Sequence, residues 1–248
     1  MSDLLYVFAI ARAGHPGAER VEAVTENELI AFFMRVDAEE YSQESIDARS
    51  KDVEWLGAIG YRHQETMAAL ARADTIIPLR AFTLFGSDSA LREKLRDEHA
   101  AFTKILDRLA GKQEWTLRVE LEPQRWSDAL VRRVDSLRDL ASEIDTAAPG
   151  RAFLLKKKLD DEKKRASKQA EEDVVREIER ALLDRLRCEA VSESRQQRSG
   201  AFPQINVLIN RDEESVLQEL RTELESRYGA DGVTLALTGP WPPYTFVE

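Results

Sequence analysis

Three histidines, at positions 15, 63 and 99, are the side chains best suited to proton transfer or metal binding in this chain of 248 residues. They are widely scattered, and no cysteine or carboxylate cluster beside them supplies zinc-ligand spacing. His63 shares a helical face with Leu56, Ile59, Met67 and Leu70, which recur at three- and four-residue steps. That setting favours a core or interface histidine over a ligand or a base. The single cysteine, Cys188, rules out an internal disulfide and fits a reducing cytosol. It falls beside Leu186, late in a predicted helix, and reads as structural rather than nucleophilic. No Gly-rich phosphate loop, G-x-S-x-G elbow or dinucleotide fingerprint is present. The reading is therefore a protein that is not an enzyme, with no metal and no cofactor. An enzyme would need Glu114, Arg80 and His63 to converge in a concave pocket.

Arg80 is the most informative charged residue outside the carboxyl terminus. It follows Ile77-Pro78-Leu79, a segment expected to be buried, and a buried guanidinium needs a carboxylate. Glu114, at the start of a strand containing Trp115, is the candidate. The last ten residues hold Pro240, Trp241, Pro242, Pro243, Tyr244 and Phe246. Prolines fix φ and remove N–H donors, so this tail is expected to be neither regular helix nor central strand. A stiff aromatic end reads as a segment docked on a groove, in this protein or in a partner.

The elements that must position these residues follow from hydrophobic period. Leu5 to Ile10 is a short apolar run ended by Gly14, Pro16 and Gly17, and predicts a buried strand. Val21–Val24 and Leu29–Val36 are candidates for two more, although the second would suit a buried helix almost as well. The histidine-bearing helix comes next, then a strand at 75–79. An amphipathic helix carries Leu91 to Leu109, with Ser87 or Asp88 as N-cap and Gly111 as its stop. Trp115, Leu117, Val119 and Leu121 then alternate with Glu114, Thr116, Arg118 and Glu120, a half-buried strand with one wet face. Two helices on one face of a small antiparallel sheet satisfy this order, a ferredoxin-like α+β domain over 1–122.

The remainder, 123–248, is expected to be a second α+β domain. A helix from Trp126 to Ile144 precedes a charged stretch from Arg151 to about Arg195 whose apolar stripe is narrow. Such a rod cannot bury its stripe alone, so the long helices (126–195) predict a coiled-coil-like hairpin. Asp160–Lys164, Asp161–Arg165 and Glu172–Arg176 are acid-first i,i+4 pairs that support an exposed helix. A βαβ unit (202–238) closes the domain, with Gly229 as its helix stop, and the proline/aromatic tail (239–248) leaves it.

Charged residues make up 33% of the chain and the formal net charge is −10. That balance argues against nucleic acid and anionic membrane as partners, and the mixed signs between Lys156 and Asp173 read as a solvated helix face. No apolar run approaches the roughly 20 residues needed to cross a bilayer. The acid in Met1-Ser2-Asp3-Leu4 opposes a signal peptide.

The tail wording, Gly239 to Glu248, resembles the carboxyl terminus of gas vesicle accessory proteins of the GvpF/GvpL family. Ile77-Pro78-Leu79-Arg80 resembles that family's apolar-Pro-Leu-Arg segment. Gly111, Glu114 and Trp115 match its Gly–x–x–Glu–Trp strand entry, and Gly150 to Lys156 its long-helix start, with Phe153 at the usual aromatic. One departure stands out: the family often reads Phe-Gly-Thr after the arginine, and here Ala81-Phe82-Thr83 follows, which implies a different turn.

The resemblance implies the same layout in modified form, a modified ferredoxin-like domain. It also implies a non-enzymatic cytoplasmic assembly or minor structural protein, associated with gas vesicles. Such a protein binds the small hydrophobic shell protein and helps nucleate or organise vesicle formation, with other accessory proteins as further partners. Arg80, Glu114, Trp115, Pro240, Trp241, Pro242, Pro243 and Tyr244 become its structural or partner-binding candidates. The sheet of the first domain is the preferred shell-binding region, through its open strand edges. The alternative is a generic coiled-coil adaptor or oligomerisation protein without shell binding.

Overall fold

The computed structural model describes residues 3–193 and 204–247, with side chains left aside at 191–193; the last residues of the expected rod (194–195) and Glu248 lie outside them. The chain divides into two units, one formed by residues 1–114 with 240–248 and the other by 115–239. This differs from a split at 122/123, because the strand at 112–121 pairs in the second sheet and the tail packs with the first unit.

Strand β1 (Asp3–Arg12) leads through a short 3-10 turn to the hairpin of β2 (Glu22–Glu26) and β3 (Leu29–Asp37). A short helix, α1 (Gln43–Ala48), lies within the acid-rich loop. Next come α2 (Val53–Ala73), β4 (Ile76–Pro78), β5 (Leu84–Phe85), α3 (Asp88–Asp97) and α4 (His99–Leu109). The sheet order is β2-β3-β1-β4, with β5 also on β1, and every pairing is antiparallel.

Every residue of β1 from Leu5 to Ala11 is buried, which demands cover on both sheet faces. Leu5, Val7 and Ile10 pack with Leu91, Leu95, Phe102 and Leu106 of α3 and α4. Tyr6, Phe8, Ala9 and Ala11 pack with Ile59, Met67 and Leu70 of α2. A bulge at Phe8 shifts the register between Val7 and Ala9 and so flips the alternation. The expected arrangement of both helices on one face is thus corrected: the helices sit on opposite faces. The expected single helix over 91–109 also breaks, at Glu98, whose φ of −102° and ψ of 14° leave the helical region. Ser87 caps α3 through Ala90 N–H, and Gly111 after α4 takes φ +70°.

In the second unit, β6 (Lys112–Leu121) is followed by α5 (Pro123–Arg133), α6 (Asp135–Thr146) and α7 (Pro149–Arg185). Then come β7 (Glu189–Glu193), β8 (Gln204–Asn210), α8 (Glu214–Tyr228) and β9 (Val233–Trp241). The order β7-β8-β6-β9 places β8 and β9 on either side of β6, so β8–α8–β9 is a split βαβ unit. The core holds Trp126, Leu130 and Leu137 from α5 and α6, Val174, Ile178 and Leu182 from α7, and Leu217, Leu220 and Leu224 from α8.

The expected 126–144 helix is broken at Val134, which takes extended values (φ −110°, ψ 113°). Arg138 reaches back to donate to the carbonyl of Arg132 and to Asp135 across the break. The rod α7 stops at Arg185, short of the expected 195, because 189–193 pairs as a strand with β8. Its 37 residues span about 55 Å. On its exposed face Arg165 pairs with Glu162 and Arg176 with Asp173, at i,i+3 rather than the expected i,i+4. The left-handed glycine after α8 is Gly232 (φ +83°), not Gly229. A Cβ there would lie 2.7 Å from Arg125 Cβ, so the close approach to α5 needs glycine.

Candidate functional site

Two strongly buried polar side chains of the first unit, His63 and Glu114, face the carboxyl-terminal segment and hold it. His63 is carried by α2, a helix that starts at the Asp52 cap and turns Ile59, His63, Met67 and Leu70 inward. Its Nδ1 lies 3.1 Å from the Tyr6 hydroxyl of β1, and its Nε2 lies 3.0 Å from the Tyr244 hydroxyl of the tail. A neutral imidazole has one N–H and one bare nitrogen, so one phenol donates to the ring and the other accepts from it. The ring is only 6% exposed and packs against Phe8 as well as Tyr6. Burial holds its pKa below the ordinary 6.5, with the Leu79 backbone hydrogen bond acting the other way. Burial also raises both phenols, Tyr244 to about 12. At neutral pH the trio is therefore an uncharged hydrogen-bonded chain.

Glu114, the last residue of the first unit, is 4% exposed. Its carboxylate accepts 3.0 and 2.8 Å hydrogen bonds from Thr245 N–H and Oγ1. Around them the tail makes a 3-10 turn over Tyr244–Phe246, with Tyr244 N–H donating to the Pro242 carbonyl. Pro242 and Pro243 are buried, and Phe246 is 1% exposed. Of the tail aromatics only Trp241 is exposed, at 41%. The docked-segment reading thus has its groove within the first unit. The strand β9 runs on through Pro240 to Trp241, further than the tail's prolines implied, and its place at the sheet edge tolerates a residue without an N–H.

Arg80, expected to be buried, is exposed. Its carbonyl accepts from Thr83 N–H and Oγ1, which closes the turn after β4. At the centre of that turn Phe82 has φ +64°, a left-handed value that glycine adopts without strain. The altered Ala-Phe-Thr wording therefore keeps a left-handed residue. The Phe82 ring is held against Tyr6, Tyr41 and Trp55, packing that offsets the strain. Trp115 is buried in the core of the second unit with Leu117 and Val119. The wet face expected for its strand is dry at the start: Glu114 and Thr116 are buried, and Thr116 Oγ1 donates to Asn206.

The remaining chemistry-bearing residues have structural surroundings. His15 is buried and accepts from Gly17 N–H at 2.9 Å. Cys188 follows α7 rather than lying in it, and burial, then the charge of Glu213, push its thiol up to about 11. Such a thiol is a poor nucleophile. Sequence reasoning missed Tyr6 and Thr245 as anchors. Both partners lie far away along the chain, and the only signal was the type of residue: two phenols and an imidazole with apolar neighbours.

The chain matches the family model for gas vesicle synthesis protein GvpL/GvpF over residues 4–248. It belongs to this family. Among curated relatives it is 27% identical to gas vesicle protein L of Streptomyces sp. (strain CB03234), over 98% of this chain and 92% of that protein. It is 34% identical to gas vesicle protein L2 of Halobacterium salinarum, over 69% of this chain and 64% of that one. The crystal structure of gas vesicle protein GvpF from Microcystis aeruginosa superposes with a TM-score of 0.65 at 13% identity, covering 100% of both chains. GvpF from Anabaena sp. PCC7120 gives 0.67 at 14%, over 100% of this chain and 99% of that one. At those identities the two structures speak for the fold, two antiparallel sheets with a long helix. Among the described residues no helix is long and apolar enough to cross a membrane.

Proposed function

We propose that this chain is a non-enzymatic gas vesicle assembly or minor structural protein of the cytoplasm that binds the hydrophobic shell protein and helps nucleate or organise vesicle formation. The observation that carries this reading is the family match, which runs through both units from residue 4 to 248. The side chains best suited to chemistry support it: His63 and Glu114 are spent on holding the tail rather than facing a substrate.

The first unit remains the preferred shell-binding region, with one change of surface. Its edge strand β2 carries Glu22 and Glu26 in ion pairs with Arg35, Arg92 and Arg96, and charged edges oppose strand pairing. The outer face of α2 is better suited. Val53 and Tyr61 are 82% and 66% exposed there, and Gly57 and Gly60 between them have nothing within 4 Å of a would-be Cβ. An apolar partner can approach the backbone closely along such a face. Co-purification of the full chain with purified shell protein tests this. Binding by the wild type that is lost in Tyr61→Glu, with unchanged melting, supports the reading. Absence of binding by the wild-type chain rejects it.

A second reading, an adaptor acting through α7, draws on Phe153 and Leu154, which are 71% and 67% exposed near the start of that helix. Concentration-dependent self-association that disappears in Phe153→Glu would favour it.

A further inference from the structure

His63 is the one histidine of the described residues that touches the tail, and it does so through a chain of three rings that share protons. Tyr6 reaches it from β1 and Tyr244 from the tail, at 3.1 and 3.0 Å. The segment after β4 presents the Leu79 backbone, and Phe8 packs its ring alongside. On α2 itself the neighbouring inward residues are Ile59 and Met67, both apolar. Among the described residues no charged side chain contributes to the ring's ionisation. Glu114 grips the next tail residue, Thr245.

We propose that residues 242–247 form a latch whose closed state requires a neutral His63, and that acidification opens it, freeing the aromatic tail and uncovering its seat on the first unit. The chemistry follows from proton count. The neutral ring bridges donor and acceptor, whereas the imidazolium donates from both nitrogens and leaves both phenols as acceptors. The hydroxyl proton that had pointed at the ring then needs a new partner in a buried site, and among the described residues no carboxylate acts on the ring to meet its positive charge. Opening returns the ring to water, where its pKa is the ordinary 6.5. The closed-state value lies lower, so the open state binds more protons as pH falls. The latch is fully closed above 6.5 and loosens below it.

Hydrogen exchange on the full chain between pH 7.5 and 5.0, referenced to intrinsic rates, reads the latch through the amides of Tyr244, Thr245 and Phe246. The opening equilibrium should rise about tenfold for each pH unit below 6.5, down to the closed-state pKa, while β1 amides stay protected. His63→Gln keeps a hydrogen-bonding side chain but cannot titrate, and its tail protection should be independent of pH. Tyr244→Phe should loosen the tail at every pH yet keep the pH dependence. Should His63→Gln not fold, the ring nitrogen signals of His63 in the wild type must titrate in step with loss of tail protection. PH-independent protection in the wild type, or equal pH dependence in His63→Gln (the mark of Glu114), overturns the proposal. Joint loss of β1 and tail protection also overturns it, because the event is then unfolding of the unit.

Discussion

The two sheets share a strand order but solve the same problem differently. In each, the first strand lies between the third and fourth while the second takes the edge: β2-β3-β1-β4 and β7-β8-β6-β9. In the first unit the link from first to second strand is a short turn, and helices cover both faces of the sheet. In the second unit the same link has grown into α5, α6 and the 37-residue α7. The polar groups differ correspondingly. All three histidines lie in the first unit, and two of them are strongly buried. In the second unit two carboxylates are shifted downward. Burial pulls Asp231 up, but Arg132 and Arg133 outweigh it and hold the acid below its usual 3.8. Glu213 is held below 4.5, chiefly by the Arg187 N–H. One strand order thus supports a unit closed on a tail by a buried histidine and a buried glutamate and a unit built around a charged rod.

The sharpest way to separate the units is to damage one core at a time. Phe246→Ala should cost the first unit roughly 3–5 kcal/mol, since the ring is 1% exposed, and leave the second unit's melting unchanged. Ile178→Ala, in α7 and fully buried, should cost the second unit roughly 2–5 kcal/mol with the first unaffected. Calorimetry of the full chain reads both, and a single shared transition moved by either variant would show that the units do not melt independently.

A titration draws the same line by charge. His15 and His63 are held below 6.5 by burial, so the stability they lend the first unit is complete above that pH and is lost as pH falls through it. For Asp231 and Glu213 the loss sets in only as pH falls below about 4.5. Urea midpoints followed separately in the two units should therefore diverge between pH 6.5 and 4.5; parallel curves would contradict the assignment.

The smallest effect concerns the turn. Phe82→Gly and Phe82→Ala lose the same ring contacts, but only glycine relieves φ +64°, so glycine should be the more stable by about 1–2 kcal/mol. Equal stability would mean that the left-handed turn is not strained.

Local patterns were legible where one residue type or one period settles the matter. The face of α2, the buried β1, the Ser87 cap and the Gly111 stop all follow from short-range rules. The continuous apolar run of β1 also implied cover on two faces, though the bulge at Phe8 hid the alternation that would have said so. What could not be read depends on partners distant in the chain. Glu114 looked like the wet start of an alternating strand and is buried because Thr245 meets it. The break at Val134 leaves no periodic trace, since residues on both sides keep helical spacing. The altered turn at Phe82 was visible as a missing glycine, but its conformation rests on the rings that surround it.

The central claim, shell-protein binding through the first unit, is most directly tested by hydrogen exchange of the full chain with and without purified gas vesicle shell protein. Added protection along α2 and the sheet of residues 3–114 is the result expected here. Protection confined to α7, or none at saturating shell protein, would contradict it.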